Sequence, residues 1–407
     1  MSRRLFLLFF IMISAVLLSG CWSQRELTNL AIVSALGIDK NEKGEYVGTF
    51  QIVNPGYVAG GLQGGAGGQS APVTVRKSTG DNMMEMSRRL STHLSRKQYF
   101  AHTNLLVIGE DLAKEEGILT ILDVLDRDPE FRTTASVVIA QNGTAEDVLK
   151  ALSPIDKIPA NYVLKTMKYT EERWGENIDV ALHEVITDLI SPGKEPVITG
   201  FRFTGDGEQA EKLEKLQNTT PEALLQADGL AIIKDGKLTG WLDGETAKGA
   251  VWVLDKIQNT AIIVNWKEKK AAIAYEVIRQ QTNVSAHIKN NTPSISIHIR
   301  AEGDIGEVTA PVDLTDEQTL LKIEKKVEQE IKKQVDNSIR HVQKEKADIF
   351  GFGEAVHRSD PAAWKKWKHE WNDLYFPELQ VNMTVDAFVR RSGLRNKSYL
   401  SEVENNH

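Results

Sequence analysis

The chain has 407 residues, 41% hydrophobic and 26% charged, with a formal net charge of −7. This acidic balance argues against a nucleic-acid binder, which needs a clustered basic surface, and the length allows roughly two or three domains. A single cysteine, Cys21, leaves no material for an internal disulfide or a cysteine-clustered metal site.

The first residues read as one unit. Arg3 and Arg4 make a basic start, residues 5–18 an almost unbroken apolar run, and Leu18-Ser19-Gly20-Cys21 a small-residue cleavage site. That is the layout of a secretory signal peptide, 1–20, and its Leu-Ser-Gly-Cys ending has the form of a lipobox. The Cys21 thiol is expected to carry an S-diacylglycerol, with the chain cut before it and the new amino terminus N-acylated. The apolar run is shorter than the roughly 20 residues of a spanning helix. Each buried methylene contributes about 0.8 kcal/mol, and two or more acyl chains give stable anchoring. No later run is apolar for long enough to cross a bilayer, so the rest is expected to hang from its lipid as a soluble body.

Residues 30–39 read as a buried strand, 40–44 as a polar turn, and 45–53 as the second strand of a hairpin. Asp39, Asn41 and Gly44 fit the first, third and sixth positions of a calcium loop. Lys43 and Phe50 do not fit the fifth and twelfth, so the hairpin reading prevails. Residues 59–68 hold six glycines but no phosphate-cradling Gly-Lys-Ser/Thr or Gly-x-Gly-x-x-Gly spacing. They read as a surface loop, with 72–77 resuming the sheet. From Asp81 helix and strand alternate: helix 81–94, strand 104–108, helix 110–125, strand 133–140, then a helix capped by Thr144 with Asp147 three residues on. Further helix is expected between Tyr162 and Pro192, and the polar stretch 201–220 reads as a linker.

A second unit then opens with the apolar runs 229–233 and 238–242 around Asp235-Gly236, a hairpin signature. Strands follow at 261–266, 271–278 and 294–300, the last alternating apolar and polar residues. In a helix over 316–346, Leu320, Ile323, Val327, Ile331, Val335, Ile339 and Val342 form one apolar stripe, best used against its own domain's sheet. The expected class is α+β, with three mixed α/β domains, each a β-sheet covered by helices, at 21–198, 199–275 and 276–400.

No catalytic, metal or cofactor constellation stands out. The nine histidines are scattered without a His-Glu-x-x-His, there is no Gly-x-Ser-x-Gly elbow, and the cysteine is committed to lipid. His183-Glu184 reads as a solvated helix face. Asp123, Asp126, Asp128 and Glu130 alternate with Arg127 and Arg132 around Pro129. They read as charge pairing at a helix end rather than an acid–base pair. Trp364, Trp367, Trp371, Tyr375 and Phe376 read as one buried helix face rather than a stacking platform.

Four stretches together resemble the Ger(x)C family, the lipoprotein C subunits of nutrient germinant receptors in endospore-forming bacteria. They are Cys21-Trp22-Ser23-Gln24-Arg25-Glu26-Leu27 with Leu36-Gly37-Ile38-Asp39; Asn104-Leu105-Leu106-Val107-Ile108-Gly109-Glu110-Asp111-Leu112-Ala113 with Arg127-Asp128-Pro129-Glu130-Phe131-Arg132; Gly229-Leu230-Ala231 with Gly240-Trp241-Leu242; and Ala347-Asp348-Ile349-Phe350-Gly351-Phe352-Gly353 with Trp364-Lys365 and Trp371. The resemblance implies three α+β domains, no enzymatic activity, and residence on the outer face of the inner spore membrane. It also implies partners: an A subunit with soluble and membrane parts and a B subunit resembling amino-acid transporters. Such a complex senses amino acids, sugars or nucleosides and starts germination; the resemblance assigns nutrient contact to no one subunit. Residues 347–353 read as a buried turn closing the last unit, or as an exposed docking loop. The rival reading is a lipid-anchored solute-binding protein of a transporter, which closes two lobes on its ligand. Three units rather than two weigh against it. A lipid-anchored hydrolase lacks its nucleophile and metal sets.

Overall fold

The computed structural model describes residues 26–55, 71–153, 155–205 and 224–391, with Arg3, Leu5 and Phe6. Cys21, the expected cut before it, the glycine-rich loop 59–68 and most of the 201–220 stretch lie outside the described residues.

The first sheet is built from β1 (Leu30–Lys40), β2 (Tyr46–Val53), β3 (Val73–Gly80), β4 (Lys97–Tyr99), β5 (Leu105–Gly109), β6 (Ser136–Ala140), β7 (Val197–Thr204), β8 (Leu224–Lys234) and β9 (Lys237–Leu242). Its order is β3-β2-β1-β5-β6-β7-β8-β9, and β4 pairs with the start of β1. The central strands β1, β5, β6 and β7 run parallel, and antiparallel hairpins flank them. Every residue of β5 and β6 is buried, as parallel strands with both faces covered require. Leu36, Ile38, Leu106, Ile108, Val137 and Ile139 point to one face, under α1 (Met83–Leu90), α2 (Glu110–Glu115), α3 (Leu119–Asp126) and α6 (Leu182–Ile190). Ala35, Leu105, Val107 and Val138 point to the other, under α4 (Ala145–Lys150) and α5 (Pro159–Arg173). The two-residue period of a strand sorts the side chains between these layers.

The second sheet has the order β10 (Thr260–Trp266), β11 (Lys269–Lys289), β12 (Thr292–Val308) and β13 (Gln380–Arg391), antiparallel except for the β12–β13 pair. Over it lies α8 (Glu317–Glu345). Its N-terminus is capped by the Asp316 carboxylate, and its stripe buries Ile323, Val327, Ile331, Val335, Ile339 and Val342. Leu320 is half-buried. Next to α8 packs α7 (Gly244–Val253); a Cβ on Gly249 would lie 2.2 Å from the Gln334 carbonyl oxygen, so only glycine allows that approach. Leu230, Ile232 and Leu242 of the first sheet belong to the same core as the second sheet.

Three expectations change. The helix expected over 110–125 is two helices, α2 and α3, broken at Gly117. That residue has φ +90°, and the Ile118 amide leaves the helical ladder to donate to Gly236 O at 2.8 Å. The helix expected over 81–94 ends at Leu90, where a short 3₁₀ turn leads towards β4. The hairpin expected to open a second unit instead pairs with β7 and completes the first sheet. The boundaries drawn at 198/199 and 275/276 fall inside β7 and β11. The described residues form two sheets sharing a core rather than three sheet units, because hairpin patterning does not specify which sheet a hairpin joins.

Candidate functional site

The end of β1 carries Leu36-Gly37-Ile38-Asp39. A Cβ on Gly37 would touch Ala145 Cβ at 3.0 Å, so this glycine lets α4 approach the strand. Asp39 then reaches the start of α4 and accepts from the Ala145 and Glu146 amides at 2.9 and 3.3 Å. Burial pushes this carboxyl up to about 6 despite those donors. On the adjacent strand, a Cβ at Gly109 would lie 2.1 Å from Asp39 Oδ1, so the glycine makes room for the carboxylate. Glu110 follows. It accepts from the Trp241 indole Nε1 at 3.0 Å and from the Asn142 amide, and pairs with Lys114 at 2.7 Å. The stretches around Asp39, Gly109-Glu110 and Gly240-Trp241 are therefore one internal network. In open parallel sheets, ligands commonly take the space beyond the strand ends; here the chain's own groups fill it.

A second network is centred on Asp348, which is fully buried. Its Oδ1 accepts from the Phe352 amide at 3.1 Å, and its Oδ2 from the Gly353 amide at 2.7 Å and Trp371 Nε1 at 2.8 Å. Its carbonyl accepts from the Glu195 amide at 2.8 Å. Asn372 donates to Glu195 Oε1 at 2.7 Å, and the Asp235 amide donates to Glu195 Oε2 at 3.2 Å. Burial pushes Asp348 up to about 6 and Glu195 to about 7. Glu195 precedes β7, Asp235 lies in the β8–β9 turn, and Asp348 follows α8, so the network ties the two sheets together. Residues 347–353 form a buried turn leading into α9 (Phe352–Ser359), not an exposed docking loop.

The aromatic cluster packs beside this turn. Trp364, of α10 (Pro361–Trp367), and Trp371 meet edge-on at 5.3 Å, and Trp371 stacks on Tyr375 at 6.5 Å. Trp364, Trp367, Trp371 and Phe376 are buried, which makes the group core rather than a stacking platform. The acidic group does not converge. Asp123 pairs with Arg127 in the open through two bonds of 2.9 Å, Asp128 accepts from the Glu130 amide at 2.8 Å, and Glu130 faces Lys97 at 3.6 Å. His183 Nδ1 lies 3.0 Å from Thr133 O, and Glu184 accepts from the Ala181 amide at the start of α6. Sequence reading missed Glu195, Asn372 and Asp235 as network members, and none carries a local signal.

One cavity deserves description as a binding space. It has a volume of about 500 Å³, between α1 and the turn after α3, and Leu36, Phe50, Met83, Met86, Leu125 and Phe131 line it. Its size falls in the range of small-molecule sites. Its polar lining comprises Asn82, Arg88 and Arg127, exposed at the rim, and the half-buried Ser87 and Asp128. Asn82 caps α1 and Arg127 is paired with Asp123. Among the described residues no cluster of three or more His, Asp or Glu is placed to hold a metal ion. No described helix is long and apolar enough to cross a membrane.

Compared with known families, residues 23–202 match the spore germination protein N-terminal domain, and residues 228–393 match the family described as spore germination B3/GerAC like, C-terminal. Spore germination protein KC of Bacillus subtilis (strain 168) is 43% identical over 397 residues, covering 97% of this chain and 98% of that relative. Spore germination protein B3 of the same organism is 25% identical over 381 residues, covering 92% and 94%. The crystal structure of the GerBC protein matches 88% of this chain and 97% of that one with a TM-score of 0.54. At 18% identity this is a likeness of fold.

Proposed function

The chain belongs to the Ger(x)C family of spore germination proteins, and from that membership we propose that it is the non-enzymatic, lipid-anchored C subunit of a nutrient germinant receptor. The observation that carries this reading is 43% identity to spore germination protein KC over almost the full length of both chains. The subunit is tethered through the lipid on Cys21 to the outer face of the inner spore membrane. It docks there on an A subunit and a transporter-like B subunit, and needs no cofactor.

The placement of the family-like stretches supports a scaffolding role. Asp39, Glu110, Trp241, Asp348 and Trp371 bond to one another or to backbone amides inside the body, and Gly109 leaves room for Asp39. The Asp348 group ties the two sheets together, the Asp39 and Glu110 group fastens the strand ends of the first sheet, and recognition is left to the surface.

The experiment is mass spectrometry of the chain recovered from spore membranes, with titration calorimetry of the same material against a nutrient panel. The proposal expects a mature chain beginning at a diacylated, N-acylated Cys21 and no tight nutrient binding by the isolated subunit. An unmodified amino terminus would remove the anchor. Tight binding of one nutrient would favour the solute-binding alternative.

A further inference from the structure

The chain is acidic overall, yet residues 46–80 and 86–109 contain no Asp or Glu and carry six Arg and Lys: Arg76, Lys77, Arg88, Arg89, Arg96 and Lys97. The fold gathers much of this charge at one place. β3 brings Arg76, and the segment between α1 and β4 brings His93 and Arg96, to a cavity of about 390 Å³ that Leu30, Ala31, Asn54 and Pro55 also line. Arg76, His93 and Arg96 are exposed, and neither arginine makes an ion pair among the described residues. Lys77, Arg89 and Lys97 do have partners, in Glu146, Glu85 and Glu130. Glu26, the nearest acid in the preceding chain, is engaged by Asn29 Nδ2 at 3.5 Å.

The position of this patch gives it a meaning. β4 pairs with the first residues of β1, Leu30 opposite Lys97 and Ala31 opposite Gln98, so the basic segment lies beside the point where the chain enters the fold. Cys21 is nine residues before Leu30, a covalent reach of at most about 30 Å. A body tethered there keeps this end close to the bilayer. Unpaired arginines within a Debye length of an anionic surface, about 8 Å at physiological salt, are strongly attracted to it.

We propose that Arg76 and Arg96 form an electrostatic foot that binds anionic phospholipid headgroups and sets the orientation of the body on the membrane. The inference rests on the lipid anchor proposed above, and it adds a second, headgroup-specific contact to a tether that is itself indifferent to headgroup charge. The foot fixes which surfaces of the two sheets face the membrane and which face outward.

The test uses the full chain recovered from membranes and reconstituted into vesicles of phosphatidylcholine, with or without phosphatidylglycerol. Ser95→Cys places a fluorophore beside Arg96, and lipids with a quencher on the headgroup report its closeness to the surface. The chain is expected to bind both vesicle types, with quenching at position 95 at least threefold stronger on phosphatidylglycerol. One molar salt, or the double substitution Arg76→Glu/Arg96→Glu, should abolish that difference while the chain stays bound and its thermal midpoint is unchanged. Equal quenching on both vesicle types, or quenching unaltered by charge reversal, would overturn the foot and leave the anchor standing. Binding to phosphatidylglycerol alone, with two labelled thiols per chain, would uphold the foot and remove the anchor. A charge-reversed variant that keeps its quenching but loses receptor assembly would place an acidic protein surface, not lipid, on these arginines.

Discussion

The indole Nε1 of Trp371 donates to Asp348 Oδ2 at 2.8 Å, in a site where the carboxylate is fully buried and also receives the Phe352 and Gly353 amides. A buried charge is tolerated only when its acceptors are filled, so this pair fixes the turn after α8 and the helices that follow. Asp348→Ala leaves three buried donors without a partner and should cost on the order of 3 kcal/mol or more. Trp371→Phe removes one donor and should cost about 1–2 kcal/mol, with additional loss from packing. Denaturant unfolding of both variants and of the double variant checks this: the double should cost less than the sum, because the partners share one network.

Gly109 and Asp39 form a second dependent pair. Gly109 has φ −65°, which any residue can adopt, so backbone strain does not require glycine there. The requirement comes from Asp39 Oδ1, 2.1 Å from where a Cβ would stand. Gly109→Ala should therefore cost about 1–3 kcal/mol in the native background and markedly less when Asp39→Ala has already removed the carboxylate. Equal costs in the two backgrounds would show that something other than this contact holds the position.

The buried carboxyls give stability a pH slope of definite sign. Glu195 and Glu171 are pushed up to about 7 and Asp39 and Asp348 to about 6, chiefly by burial. Unfolded carboxyls titrate near 4, roughly. Between these limits the folded state binds more protons than the unfolded one, so stability falls as pH rises through 6 to 7. Glu110 and Glu146, held low by their lysine and amide partners despite burial, weaken the fold only on acidification below this window. The denaturant midpoint should be higher at about pH 5.5 than at about pH 8. Glu195→Gln should flatten that slope, costing more at the lower pH.

The exposed carboxylates at the end of α3 should matter little. Asp123 and Arg127 are 61% and 75% exposed, and exposed pairs of this kind contribute little to stability. Asp123→Asn with Asp126→Asn should leave the thermal midpoint and nutrient-triggered germination unchanged. A large loss of germination with an intact fold would reopen an acid–base role for the group.

Local features were legible in the sequence and long-range ones were not. Thr144 and Asp147 cap α4 as their spacing implies, with the Asp147 amide donating to Thr144 Oγ1 at 3.2 Å. The α8 stripe was legible because a helix face repeats within a few residues. The later half of β11 escaped notice because its run opens with five polar residues, 279–283, although Val284, Ala286 and Ile288 then alternate with polar residues and pack half-buried against the core. The Glu195–Asn372 and Asp348–Trp371 bonds join segments distant in the chain, and a single polar residue does not announce its partner. Gly109 and Gly37 were visible as parts of a resemblance, but their reason, room for Asp39 and α4, is visible only in the packing. The lipid site proposed at Cys21 rests on a short linear signal in the sequence, and that residue lies outside the described ones.

The central claim is that this chain is a lipid-anchored receptor subunit, and germination tests it most directly. The gene is deleted in its spore-forming host, and the spores are challenged with single nutrients. The deletion is then complemented with the wild-type gene or with Cys21→Ala. The account predicts loss of the response to one nutrient class, restored by the wild type and not by Cys21→Ala. Unchanged germination to every nutrient, together with impaired uptake of a solute, would contradict it.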